Sequence, residues 1–274
     1  MSGDAPPPAN RTGSRSEFTM RLVTAGVLAP IVLVCAWAGG VWFALLVAVV
    51  IGLGGHEWSR LCDIDGPMPI ALLIVIGPVL AIALVTGGTA AGLVVVALAA
   101  VSALGGRNAN NRIWPVVGIV DLGLPLIAIL SLRASPQIGF EGLFFLFGVV
   151  WLTDIGAYAS GRVIGGPRLA PSISPGKTWA GAAGGLILAV AGAYWGAGFM
   201  EIQPPIGAIA LAFILSIATQ CGDLFESWVK RRFDKKDSGS IIPGHGGILD
   251  RIDGLLIAAP VMAAIVIAQR GTVP

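Results

Sequence analysis

Nine stretches of this chain are apolar enough, and nearly all long enough, to cross a bilayer, and this constrains its fold more than any other feature. A transmembrane helix needs about 20 mostly apolar residues, because its backbone must close every hydrogen bond internally across the hydrocarbon. The candidate spans are 21–38, 41–57, 69–86, 89–104, 113–132, 142–160, 179–199, 206–228 and 254–269. The fourth and ninth are short, and Gly39-Gly40 and Gly87-Gly88 leave room only for tight turns. The first two pairs therefore predict helical hairpins, with a merged or re-entrant segment as the alternative. Composition agrees: 12% of residues are charged, against about a quarter in a soluble domain, and mean hydropathy is +0.86. The predicted fold class is all-α, a polytopic membrane helical bundle of about nine transmembrane helices.

The charges give this count a direction. With the N-terminus cytoplasmic, fifteen of the 17 Lys and Arg fall on the inside, and only Arg133 and Arg270 fall outside. That asymmetry is what the positive-inside rule demands, and dropping one early span would reverse the N-terminal arginines. The expected organisation is a disordered cytoplasmic tail over 1–19, N-terminal transmembrane helices over 20–140, and a catalytic transmembrane region over 141–274 with two cytoplasmic loops. No compact cleavable signal is evident. The expected location is the cell (inner) membrane, with the active site facing the cytoplasm. Cys35, Cys62 and Cys221 are scattered and suggest neither a disulfide framework nor a zinc site. A net charge of +2 gives no reason to expect nucleic acid as a partner; the partners implied by the charge distribution are the bilayer and anions. A homodimer is compatible with the sequence.

Polar chemistry concentrates between Thr219 and Gly254. Asp223 lies where an apolar run is still helical, and a carboxylate at that depth is costly, so it needs a partner and suggests function. Asp223, Glu226, Ser227 and Lys230 fall at i, i+3, i+4 and i+7, one helix face. Asp250 and Asp253 open the next helix at i, i+3. Between the two lie Gly244-His245-Gly246-Gly247, whose amides can approach an anion. Carboxylates from two helix ends, bases and a glycine-rich turn suit a site where a metal holds a phosphate. A basic run beside a transmembrane helix is also an ordinary cytoplasmic anchor, but that leaves the acids unexplained.

A second cluster runs from Trp151 to Trp179. Asp154, Tyr158 and Gly161 share a helix face at i, i+4 and i+7. Ser172 to Thr178 reads as a turn before the next helix. Such a turn either binds a phosphate through amides, dipole and Lys177, or is a plain Ser/Pro helix start. Gly181 and Gly185 predict close helix packing. Earlier in the chain, His56-Glu57-Trp58 reads as an interfacial anchor. Asp121 either lines the cavity or snorkels to an interface.

The residues from Ser227 to Asp253, SWVKRRFDKKDSGSIIPGHGGILDRID, resemble the signature of the phosphatidate cytidylyltransferases, or CDP-diacylglycerol synthases, at every patterned position. The D-x-x-A-Y-x-x-G of Asp154–Gly161 and the S-P-x-K-T-W of Ser174–Trp179 are also similar to that family. Two positions depart from it: Gly176 stands where many members have a lysine, and Ala180 where they have a glutamate, so Lys177 alone keeps the basic function.

The resemblance implies a nucleotidyltransferase that converts CTP and phosphatidic acid to CDP-diacylglycerol and pyrophosphate, a phospholipid-biosynthetic step. Both substrates are polyanions, so Mg2+, with room for a second cation, is the expected cofactor. Asp223 and Asp250 are the first-choice metal ligands and Asp253 the next. Lys230, Arg231, Lys236 and Arg251 would hold phosphates, with Ser227 and Ser174 bonding to them. His245, Gly246 and Gly247 would contact CTP, His245 being equally explained as a cap of the turn. Asp154 and Lys177 would complete the cavity. Two alternatives stand beside this: another CTP-dependent lipid enzyme such as a polyprenol kinase, and a transporter using Asp121, Asp154 and Asp223. Clustering of the polar residues in one half and near one face disfavours the transporter.

Overall fold

The computed structural model describes residues 26–65, 67–104, 113–136, 138–199, 206–241 and 246–270. The expectations for the 1–19 tail, for Arg11, Arg15, Arg21, Arg107 and Arg112, and for Gly244 and His245 lie outside the described residues.

The helices fall where the apolar runs are. They are α1 (Gly26–Ala38), α2 (Gly40–Leu61), α3 (Pro67–Leu104), α4 (Ile113–Ala134), α5 (Gly139–Val163), α6 (Trp179–Phe199), α7 (Ile206–Arg232) and α8 (Leu249–Arg270). α3 breaks at Gly88, whose φ of 71° and ψ of −169° leave the helical region. Its two limbs match the third and fourth predicted stretches. The described residues thus form a bundle with six helices long and apolar enough to cross a membrane. The polar ends run further than hydropathy alone suggested, because α7 carries its helix through Arg232 and α8 begins at Leu249.

α4 is the central post. It packs on α2, α3, α5 and α8, and Ile119, Leu122 and Leu126 on it are fully buried. Arg133, one of the two basic residues on the predicted outer side, donates to the carbonyls of Ala36 (2.6 Å) and Trp37 (2.8 Å) at the end of α1. It closes the last turn of a helix whose carbonyls have no partner of their own.

Lipid offers helices no hydrophobic drive to associate, so close contact depends on small residues. The predicted Gly181/Gly185 contact is present: a Cβ on Gly181 would lie 2.8 Å from the Ala157 carbonyl oxygen, and one on Gly185 would lie 2.6 Å from that of Thr153. This presses α6 against α5. A matching contact joins α7 to α8, where a Cβ on Gly222 would collide with the Asp253 carbonyl and one on Gly254 with Thr219.

Two sequence expectations need correction. The Ser172–Thr178 turn is part of an antiparallel hairpin, β1 (Arg168–Ala170) with β2 (Ser174–Thr178), pairing Arg168 with Thr178 and Ala170 with Ser174. Gly165 and Gly166, at φ of 66° and 92°, let the chain leave α5 and turn into it. Of His56-Glu57-Trp58, read as an interfacial anchor, His56 is exposed but the other two turn inward. Glu57 and Trp58 are 2% and 1% exposed, and the Trp58 indole donates to the Trp114 carbonyl (2.9 Å) inside the bundle.

Candidate active site

α5, the hairpin, α6, α7 and α8 enclose a cavity of about 550 Å³, within the range of small-molecule sites. Of the residues singled out from sequence, Asp154, Lys177, Asp223, Asp250, Arg251 and Asp253 all border it. Segments about a hundred residues apart in the chain therefore meet at one place. The predicted face of α5 is there too, with Asp154, Tyr158 and Gly161 lining one wall.

The acids and bases are already paired across elements. The Lys177 ammonium, on β2, meets the Asp223 carboxylate of α7 at 2.6 Å. Thr178 follows it as the cap of α6, accepting from the Gly181 N–H (3.0 Å). The helix start therefore serves its own cap, while the lysine before it reaches into the cavity. Gly222 packs against the α8 backbone at Asp253, which brings Asp253 beside Asp223.

Asp250 is held from three sides. Lys230 donates to Oδ1 (2.6 Å), the Gly247 amide to Oδ2 (2.8 Å), and the Ser238 amide approaches both oxygens at 3.4 and 3.3 Å. Asp250 lies in the first turn of α8, where its carboxylate faces the positive end of the helix dipole. It also commits the Gly247 amide, which the sequence had offered to CTP. Gly246, at φ +78°, makes the turn that permits this bond.

Lys230 does not border the cavity. Its ammonium lies between Asp250 (2.6 Å) and Glu226 (3.3 Å), with 12% of its side chain exposed. Ser174 lies in β2 and Ser227 is half-buried on α7, both off the cavity wall. Arg231 donates to the Ile173 carbonyl at the hairpin tip (3.2 Å), and Lys236 is exposed in the loop beyond. Asp121, one of the three acids of the transporter alternative, is on α4 and does not line the cavity.

Several contributors were not picked out from sequence. Arg162 lines the cavity and donates to the Tyr158 hydroxyl (2.8 Å); its i+4 spacing from Tyr158 was the available signal. Thr153 and Gln220 form part of the wall over a buried chain, in which the Thr153 hydroxyl donates to Ser216 (2.9 Å) and Gln220 to the Ala182 carbonyl (3.3 Å). Glu226 is buried next to Lys230 and Asp253.

The Gly222 contact can be tested directly. Gly222→Ala is expected to push α7 from α8, costing about 1–3 kcal/mol as an overpacked contact and reducing activity at least tenfold. Gly148→Ala, where no atom stands within 4 Å of the added carbon, is the matched control and should change neither. Thermal unfolding in detergent and turnover, measured on both variants, check this.

The fold and this cavity define a polytopic membrane protein with a charged reaction chamber at one end of its bundle. The chain matches the Cytidylyltransferase family over residues 19–268. It is 42% identical over 261 residues to the phosphatidate cytidylyltransferase of Brucella suis biovar 1 (strain 1330), covering 90% of this chain and 92% of that one. It is 36% identical over 273 residues to that of Pseudomonas aeruginosa, covering 93% and 98%. With the protein of that name from Bacillus subtilis (strain 168) it shares 40% identity over 157 residues, 55% of this chain and 58% of the other. The chain belongs to the cytidylyltransferase family and is a membrane-embedded nucleotidyltransferase.

Proposed function

We infer that this protein transfers CMP from CTP to phosphatidic acid, giving CDP-diacylglycerol and pyrophosphate. The observation that carries this reading is the convergence of Asp154, Lys177, Asp223, Asp250, Arg251 and Asp253 on one cavity, in a chain similar along most of its length to proteins named phosphatidate cytidylyltransferase.

A phosphate oxygen of phosphatidic acid attacks the α-phosphorus of CTP. The new O–P bond forms as the bond to the bridging oxygen breaks, and pyrophosphate leaves with that electron pair. No covalent enzyme intermediate is needed. The main obstacle is bringing two polyanions together, and fixed charge in a partly enclosed cavity offsets it. Lys177 and Arg251 bind and orient phosphate oxygens from two sides of the cavity. Arg162, held by Tyr158, adds a third cation. Asp154 and Asp223 keep those cations in place when the cavity is empty of anion.

The donor set fits magnesium. That ion is held by one or two carboxylates together with substrate phosphates and water, not by a protein cage. Asp223, Asp250 and Asp253, which border the same cavity, would supply the carboxylates; no cluster of three or more His, Cys, Asp or Glu side chains forms a ready cage among the described residues. When bound, magnesium would neutralise charge on the phosphates and the leaving pyrophosphate. We place the cavity on the cytoplasmic face of the inner membrane, the side where Lys and Arg are dense and CTP is available.

Purified protein given phosphatidic acid vesicles, Mg2+ and CTP tests the reaction. Label from α-phosphate should enter the lipid, and label from γ-phosphate should appear only in pyrophosphate. Entry of γ-label into lipid would mean a kinase, and substrate flux in proteoliposomes without nucleotide would mean a transporter.

A further inference from the structure

We propose that Glu57, at the cytoplasmic-loop end of α2, is a positioning residue that fixes the start of α8 and so the placement of Asp250, Arg251 and Asp253. The proposal rests on the cytidylyltransferase reading above. Glu57 touches no cavity residue that binds substrate; it acts through the loop after α7 and the first turn of α8.

Glu57 is 2% exposed, and its hydrogen-bond partners Ser238 and Leu249 lie 181 and 192 residues further along the chain. Its Oε2 accepts from the amide of Leu249, the first residue of α8 (3.0 Å), and from the Ser238 hydroxyl (3.4 Å). Ser238 is bonded twice: its hydroxyl goes to Glu57 and its amide to Asp250. The two carboxylates are therefore linked through one residue. Two glycines make room for the acid. A Cβ on Gly239 would lie 2.5 Å from Glu57 Oε1, and one on Gly247 would lie 2.6 Å from Oε2. Gly247 also donates its amide to Asp250, so one backbone position serves both acids.

The end of α2 is itself firmly held. Trp58 is tied to α4 through the Trp114 carbonyl. Lys235, from the same loop as Ser238, donates to the carbonyls of Arg60 (2.5 Å) and Leu61 (3.0 Å) and to Asp63 (2.7 Å). The loop thus docks on α2 at two points, and Glu57 is the one that reaches α8. A misplacement of about 1 Å in a phosphate-orienting group can cost about 100-fold in rate, so the effect should fall on turnover.

Glu57→Ala, Glu57→Gln and Ser238→Ala are purified and assayed with CTP, phosphatidic acid and Mg2+ beside the wild type. Glu57→Ala is expected to lower kcat by about 10- to 100-fold, with KM for CTP changed by less than about threefold. Glu57→Gln should keep kcat within about fivefold: the amide oxygen replaces Oε2, and Oε1 accepts no hydrogen bond among the described residues. Ser238→Ala, which keeps the amide bond to Asp250, should fall between them. Thermal unfolding in detergent separates positioning from folding. Wild-type turnover by Glu57→Ala would overturn the proposal. So would equal loss in the Ala and Gln variants in step with a fall in melting temperature. An inactive wild type would overturn the cytidylyltransferase reading instead.

Discussion

Asp223→Asn is expected to reduce CDP-diacylglycerol formation by at least about 100- to 1,000-fold, because the carboxylate would hold the cations, magnesium and Lys177, that stabilise negative charge developing in the transition state. The same change should leave the fold nearly untouched. Asp223 has 36% of its side chain exposed and its partner Lys177 has 24%, but the Lys177 ammonium itself is buried, so the change costs about 1–2 kcal/mol, small beside the loss of turnover. Activity and stability therefore separate at this residue, and that separation marks a group held in place for a reaction. Asparagine keeps the size of the side chain and loses only the charge. With it go an anionic partner for the Lys177 ammonium and one of the proposed magnesium carboxylates. Turnover measured at saturating CTP and over a magnesium series, with unfolding in detergent beside it, checks the prediction. Near-normal turnover at saturating magnesium would remove Asp223 from the metal site.

What sequence made legible here, and what it did not, follows from the range of the forces involved. The apolar helices were legible because hydrocarbon imposes one rule on every backbone group that crosses it. The face of α5 was legible because helical periodicity is local: Asp154, Tyr158 and Gly161 share a cavity wall as their spacing required, whereas of the predicted α7 face only Asp223 reaches the cavity. The β1–β2 hairpin was not legible. Its strands are three and five residues long, too short for a pattern, and Pro171, Ser172, Ser174 and Pro175 read as a turn or a helix start. Glu57 was missed because its partners lie about 190 residues away, and nothing near it in the chain distinguishes a buried acid from one at the interface. The basic residues in the last turn of α7 and just beyond it were read as one phosphate-binding set, since sequence cannot tell which of several neighbouring cations is already neutralised. In the structure they part company: Lys230 turns inward to Glu226 and Asp250, Arg231 ties the hairpin tip, and Lys236 faces solvent.

Lys230→Met tests the consequence of that division. The ammonium sits between two carboxylates, at 2.6 Å from Asp250 and 3.3 Å from Glu226, and the three side chains are 12%, 11% and 4% exposed. Methionine fills most of the same volume without charge, so the change isolates electrostatics from packing. Removing one member of a buried ionic cluster leaves the others uncompensated and typically costs about 3–5 kcal/mol. Here the remaining acids also repel each other, and Asp250 loses its shortest bond in the first turn of α8. Lys230→Met is therefore expected to unfold at a markedly lower temperature in detergent and to lose at least about 100-fold in turnover, with both losses traceable to one displaced helix start. Lys236→Met, in the exposed part of the loop, should leave unfolding unchanged. If Lys230 instead held a substrate phosphate directly, as its place in the sequence suggested, the variant would keep its melting temperature and lose activity through a raised KM for CTP. The order of effects at Lys230 and Asp223 is thus opposite: stability and turnover fall together at the buried lysine, and turnover falls alone at the half-open aspartate.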